Sequence, residues 1–150
     1  TADHLGLSRA NIYDPEQNIA AAVRYIAELE RSFSDIREHS ERTKFQLAAY
    51  NGGHFHIRDA MALARKNGRN ASRWHEVEPF VLGLSQPQYY NDPVVKNGYM
   101  RGSETVDYVR KIHERWNGYR GVKTVRSISG PQGIPQKAKR ERKKKYQISE

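Results

Sequence analysis

The chain has 150 residues, 26 Lys+Arg against 17 Asp+Glu, and no cysteine. One modest domain is therefore expected, and disulfides, thiolate metal sites, a cysteine nucleophile and iron–sulfur chemistry are excluded. No stretch approaches the roughly 18 unbroken apolar residues of a membrane helix, and no apolar run behind a charged leader resembles a secretion signal, so a soluble chain is expected. A start at Thr1 is expected of a processed or truncated chain.

Helical periodicity dominates the first 119 residues. Residues 15–33 place Ile19, Val23, Ile26 and Leu29/Phe33 at three- and four-residue spacing behind Asp14 as cap, with Pro15 and Glu16 suited to a first turn. A second helix is expected over 41–50, carrying Phe45, Leu47 and Ala48, and stopping at Asn51-Gly52-Gly53. The third runs over about 55–66, with Ile57, Ala60, Met61 and Ala64 on one side and Asn67-Gly68 as its end. The fourth, 72–82, carries Trp74, Val77 and Val81, limited or bent by Pro79. A long irregular loop, 83–102, precedes the last helix, 103–116, whose buried stripe is expected to be Val106, Val109, Ile112 and Trp116, with Gly118 as stop. No alternating strand pattern competes. The expected architecture is an all-α helical bundle.

The excess charge sits in a tail. Residues 1–119 hold 16 basic and 15 acidic side chains, and residues 120–150 hold 10 and 2. With Gly130, Pro131, Gly133, Pro135 and seven basic residues in the nine from Lys137 to Lys145, residues 120–150 are expected to be mostly disordered. The run from Lys137 to Lys145 offers a possible polyanion contact, so a basic interaction module binding nucleic acid or another polyanion stands as the alternative function. Only Tyr146 supplies an aromatic stacking surface beside that run, which argues against nucleic acid as the partner.

Motifs for other chemistry are sparse. His54 and His56 lie two apart beside a Gly-Gly turn, and His75-Glu76 lacks a second histidine four residues on, so no metal site is expected and no cofactor is implied. Both pairs read as plain surface or capping histidines. No Gly-x-Ser-x-Gly elbow supports serine chemistry. Among carboxylates, Glu104 stands four residues before Tyr108, which puts an acceptor and a phenol on one helix face.

Three ordered segments carry a family resemblance. Thr1-Ala2-Asp3-His4-Leu5-Gly6-Leu7 with Asp14-Pro15-Glu16-Gln17-Asn18-Ile19 and Arg24-Tyr25-Ile26 is the first. Leu47-Ala48-Ala49-Tyr50-Asn51-Gly52-Gly53, an Ala-Tyr-Asn-x-Gly pattern, is the second. Gly98-Tyr99-Met100-Arg101-Gly102-Ser103-Glu104, continuing to Tyr108-Val109 and Ile112, is the third. Together they resemble the C-terminal two-thirds of the catalytic domain of lytic transglycosylases, the goose-lysozyme-like family that cleaves bacterial peptidoglycan. Leu84-Ser85-Gln86 with Tyr89-Tyr90 resembles the loop of a membrane-bound subtype, and Ala22 stands where members often carry glycine.

The resemblance implies a lysozyme-like helical bundle over residues 1–119, incomplete at its N-terminus. It implies cleavage of the MurNAc–GlcNAc β-1,4 bond with formation of 1,6-anhydro-MurNAc. The substrate's own 6-hydroxyl attacks, so one glutamate acid/base is chemically sufficient. That glutamate is expected upstream of Thr1, which leaves this chain without the acid and inactive alone. Tyr50 would orient the acid, Asn51, Tyr99, Glu104 and Tyr108 would bind substrate, and Arg101 would anchor a subsite or loop. Phe45, Tyr50 and Tyr99 would supply the apolar wall that keeps the acid protonated. The implied partner is the peptidoglycan glycan strand, and the implied location is the periplasmic side of the bacterial envelope, outer-membrane associated through the N-terminal region of the full-length protein.

Overall fold

The computed structural model describes residues 5–6 and 13–121. The basic run from Lys137 to Lys145 and most of the expected tail lie outside the described residues. Six helices follow in order: α1 (Pro15–Ser32), α2 (His39–Gly52), α3 (His54–Lys66), α4 (Trp74–Gly83), α5 (Pro87–Tyr90) and α6 (Gly102–Tyr119). Among the described residues there is no strand, and the all-α, lysozyme-like expectation holds.

α2 is the hub, packing on α1, α3, α4 and α6. Its Phe45, Ala48 and Ala49 are fully buried, and the Phe45 ring meets Phe33 and, edge-on, Trp74. One apolar core results, with Ile57, Ala60, Met61 and Ala64 from α3, Val77 and Val81 from α4, and Val106 and Val109 from α6. Truncating a buried phenylalanine of this kind to alanine costs about 3–5 kcal/mol.

Asp14 caps α1 as expected, accepting from the N–H groups of Glu16 and Gln17 at 3.0 and 3.4 Å. Of the apolar residues expected at helical spacing on this helix, Leu29 and Phe33 are buried and the others are not. Ile19, Val23 and Ile26 are exposed, and α1 turns Ala21 and Tyr25 inward with Leu29. Two stripes of i, i+4 spacing coexist on this helix, so periodicity identifies the helix without saying which face meets α2. The turn behind it is not merely polar either, because Ile36 is fully buried beside Phe33. Arg58 of α3 fastens that turn: it donates to both Asp35 carboxylate oxygens at 2.9 Å and to the Ser32 carbonyl, with its guanidinium 4.7 Å from the Phe33 ring centre.

Several helices run further than expected. α2 continues through Asn51 and Gly52, and the break falls on Gly53 at φ +92°, the left-handed region glycine tolerates. α4 passes Pro79 and ends at Gly83. The irregular 83–102 connection contains the single turn α5. α6 absorbs Gly118, and its Trp116 is 57 % exposed rather than buried, because the helix outruns the body it packs on.

Glu41, 8 % exposed, joins α2 to α4 by accepting from the Trp74 N–H at the start of α4 and from Lys44 Nζ. Burial pushes its carboxyl up, but the bonds from Lys44 and the Trp74 N–H favour the anion more, and the balance falls below the ordinary glutamate value of 4.5. In the unfolded chain the carboxyl takes up its proton first as pH falls. The stabilisation is therefore complete above about pH 4.5 and lost progressively below it. Glu41→Gln is expected to lower stability at pH 7 by about 1–3 kcal/mol and to flatten the loss of stability between roughly pH 5 and 3, read by thermal melts across pH. Equal melting curves for both proteins at pH 7 would contradict this role.

Candidate functional site

The end of α2 and the start of α6 touch. A Cβ on Gly52 would lie 2.2 Å from Met100 Cε and 2.5 Å from Thr105 Oγ1, and one on Gly102 would lie 1.9 Å from the Val81 carbonyl oxygen at the end of α4. Across this contact Thr105, 1 % exposed, donates from Oγ1 to Asn51 Oδ1 at 2.9 Å. Oδ1 keeps a second lone pair, and Asn51 keeps its two amide hydrogens to offer elsewhere.

An open cavity of about 410 Å³ lies over the contact. α2 supplies Asn51 and Gly52, α3 supplies His56, the segment before α6 supplies Tyr99, Met100 and Arg101, and α6 supplies Glu104 and Thr105. Arg101 donates to Glu104 at 2.9 Å and also bonds Tyr99, and these contacts raise the Arg101 pKa further. The wall is polar, with amide, imidazole, phenol and an exposed ion pair, and suits a neutral, oxygen-rich ligand.

Residues 1–72 match the family described as Transglycosylase SLT domain. The chain is also 38% identical over 112 residues to Membrane-bound lytic murein transglycosylase F of Desulfosudis oleivorans, covering 75% of this chain and 24% of that protein. It is 38% identical over 117 residues to the protein of the same name in Pseudomonas fluorescens strain Pf-5, covering 78% and 23%. The chain carries a lytic transglycosylase domain. It spans about a quarter of the length of the curated relatives it matches.

Of the five site residues expected in this transglycosylase domain, the structure brings Asn51, Tyr99 and Glu104 into one cavity lining. Tyr50 and Tyr108 are outside that lining. Tyr50 stacks at a tilt on Tyr25, ring centres 5.8 Å apart. Tyr108 is half-buried near Tyr50; burial, then the neighbouring Tyr50, pushes its phenol up, so it stays a neutral hydroxyl. Glu104 turns to Arg101 rather than to Tyr108. Phe45, expected as part of an apolar wall at the site, is buried in the core instead, because the inner face of α2 carries it between Phe33 and Trp74.

Sequence reasoning set aside residues that the structure makes central. His56 faces the cavity, and His54 packs edge-on against Phe33 and Phe55 with burial pushing its pKa down. Neither is a plain surface histidine, although no cluster of three or more metal-ligating side chains occurs among the described residues. Thr105 and Gly52 were legible only as helix and turn residues, since their role depends on an element 54 positions away.

Asp59 is a further residue without a sequence signal. It is 4 % exposed in α3 and accepts from Lys96 N at 3.1 Å, Asn97 N at 2.8 Å and Asn97 Nδ2 at 2.9 Å. These bonds tie down the segment that continues through Gly98, at φ +72°, to Tyr99 and Arg101. Asp59→Ala leaves those N–H groups without an acceptor, so a loss of about 1–3 kcal/mol is expected. Hydrogen exchange should quicken at the Lys96 and Asn97 amides while α2 stays protected. Unchanged exchange there would contradict the anchoring.

Proposed function

We propose that the protein is a peptidoglycan lytic transglycosylase whose cavity at the α2–α6 junction binds the glycan strand. The reaction breaks the MurNAc–GlcNAc β-1,4 bond and forms 1,6-anhydro-MurNAc. The leaving oxygen takes a proton from a general acid, and the substrate's own 6-hydroxyl closes on the sugar carbon, its proton passing to the same group acting as base. The attacking hydroxyl is already tethered to its target, so neither a bound water nor a second carboxylate is needed.

The observation that carries this reading is the meeting of Asn51, Tyr99 and Glu104 in one polar cavity of a transglycosylase domain. Asn51 would donate to the glycan, Tyr99 would lie along a sugar face, and Glu104 would accept from sugar hydroxyls. Glu104 sits in solvent against Arg101, which suits an acceptor and not a proton donor. The acid/base glutamate is therefore proposed to lie outside residues 1–150, with Tyr50 as its orienting partner and Tyr108 as a neighbouring substrate contact. The bacterial cell envelope follows as the proposed location, periplasmic and outer-membrane associated, from relatives named as membrane-bound murein enzymes. Among the described residues no helix is long and apolar enough to cross a membrane.

Titration of the 150-residue chain with chitooligosaccharides and peptidoglycan fragments tests the cavity. Asn51→Ala and Glu104→Ala are each expected to weaken binding about tenfold, with little dependence on salt. Binding that both substitutions leave unchanged, or that falls steeply with salt, would overturn the assignment.

A further inference from the structure

α3 starts at His54, directly behind Gly53, and this places His56 in the first helical turn with its ring at the cavity wall. The two ring nitrogens are not equivalent. Nδ1 is sealed from solvent and meets no hydrogen-bond partner among the described residues, so the polar atom His56 can offer the cavity is Nε2. A neutral imidazole carries one N–H. On Nδ1 that hydrogen would be a buried donor without an acceptor, whereas on Nε2 it turns to the open side and leaves only a lone pair unmet.

Asn51 adds a donor of its own, since the bond its oxygen accepts from Thr105 leaves its amide hydrogens unused. Asn51 and His56 thus each bring an N–H donor to one lining. A carbonyl oxygen has two lone pairs and no hydrogen, and matches the two donors.

We infer that His56 is a specificity-determining residue of the cavity, donating from Nε2 to the acetamido carbonyl oxygen of an N-acetylated sugar beside Asn51. The inference rests on the glycan-binding reading above and adds which group of the sugar is read and by which atom. Sugars lacking the acetyl group would leave both donors unpaired, the arrangement in which a polar site discriminates most strongly.

The test is a long-range ¹H–¹⁵N spectrum of the histidine rings in the 150-residue chain, titrated with chitotetraose and with its fully deacetylated counterpart. The His56 ring is expected to show the Nε2–H tautomer, and its Nε2 resonance to move with chitotetraose and not with the deacetylated tetramer. His54, packed between Phe33 and Phe55, is the internal reference and should not move. His56→Ala should weaken chitotetraose binding about tenfold and narrow the difference between the two oligomers, and His56→Gln, which keeps a donor, should recover part of it. An Nδ1–H tautomer, or a His56 ring that stays still while the Asn51 side-chain amide shifts, would overturn the inference and leave glycan binding intact. If neither residue responds to either oligomer, the inference and the glycan-binding reading fall together.

Discussion

Two missing side chains set the geometry of the cavity. At Gly52 and Gly102 any Cβ would overlap a neighbouring helix or the residues leading into it, and at Gly102 the obstacle is the Val81 backbone carbonyl, which cannot rotate away. With hydrogens there, the last turn of α2 and the end of α4 meet the first turn of α6 closely enough for Thr105 to reach Asn51. Polar side chains from 51, 99 and 104 come together because of that approach. Overpacking at such a contact costs about 1–3 kcal/mol or more, which is large against the 5–15 kcal/mol by which a domain is stable.

The inner carboxylates of the molecule hold main chain in place. Glu41 receives the first N–H of α4, and Asp59 receives two N–H groups of the segment before Tyr99. Each is a charged acceptor meeting donors that would otherwise be orphaned, the stronger class of hydrogen bond. Glu104 differs in standing exposed at the cavity, paired with the exposed Arg101 at the start of α6. Burial and neighbours alone separate the carboxylates that fix the backbone from the one exposed at the cavity.

Much of this was legible in the chain itself. The helix positions follow from periodicity, the Asp14 cap and the stops at Gly53 and Asn67-Gly68, and the ordered Ala-Tyr-Asn-x-Gly and Gly-Tyr-Met-Arg-Gly-Ser-Glu segments led to three of the residues that meet at the cavity. Orientation was harder to read. α1 carries two apolar stripes, and only its packing on α2 selects Ala21 and Tyr25 beside Leu29 over Ile19, Val23 and Ile26. Trp116 reads as core by type and spacing, yet α6 extends past the body before reaching it. His56 was hidden for a related reason, since nothing local distinguishes a histidine at a cavity wall from one in solvent, and Asp59 acts on residues 37 and 38 positions ahead.

A crystal structure of the chain with chitotetraose tests the central claim most directly. The claim predicts a sugar ring seated against Asn51 and Glu104, with the Thr105–Asn51 bond and the contact at Gly52 unchanged by its arrival. Sugar bound on another face, or a junction that must separate to admit it, would contradict the claim.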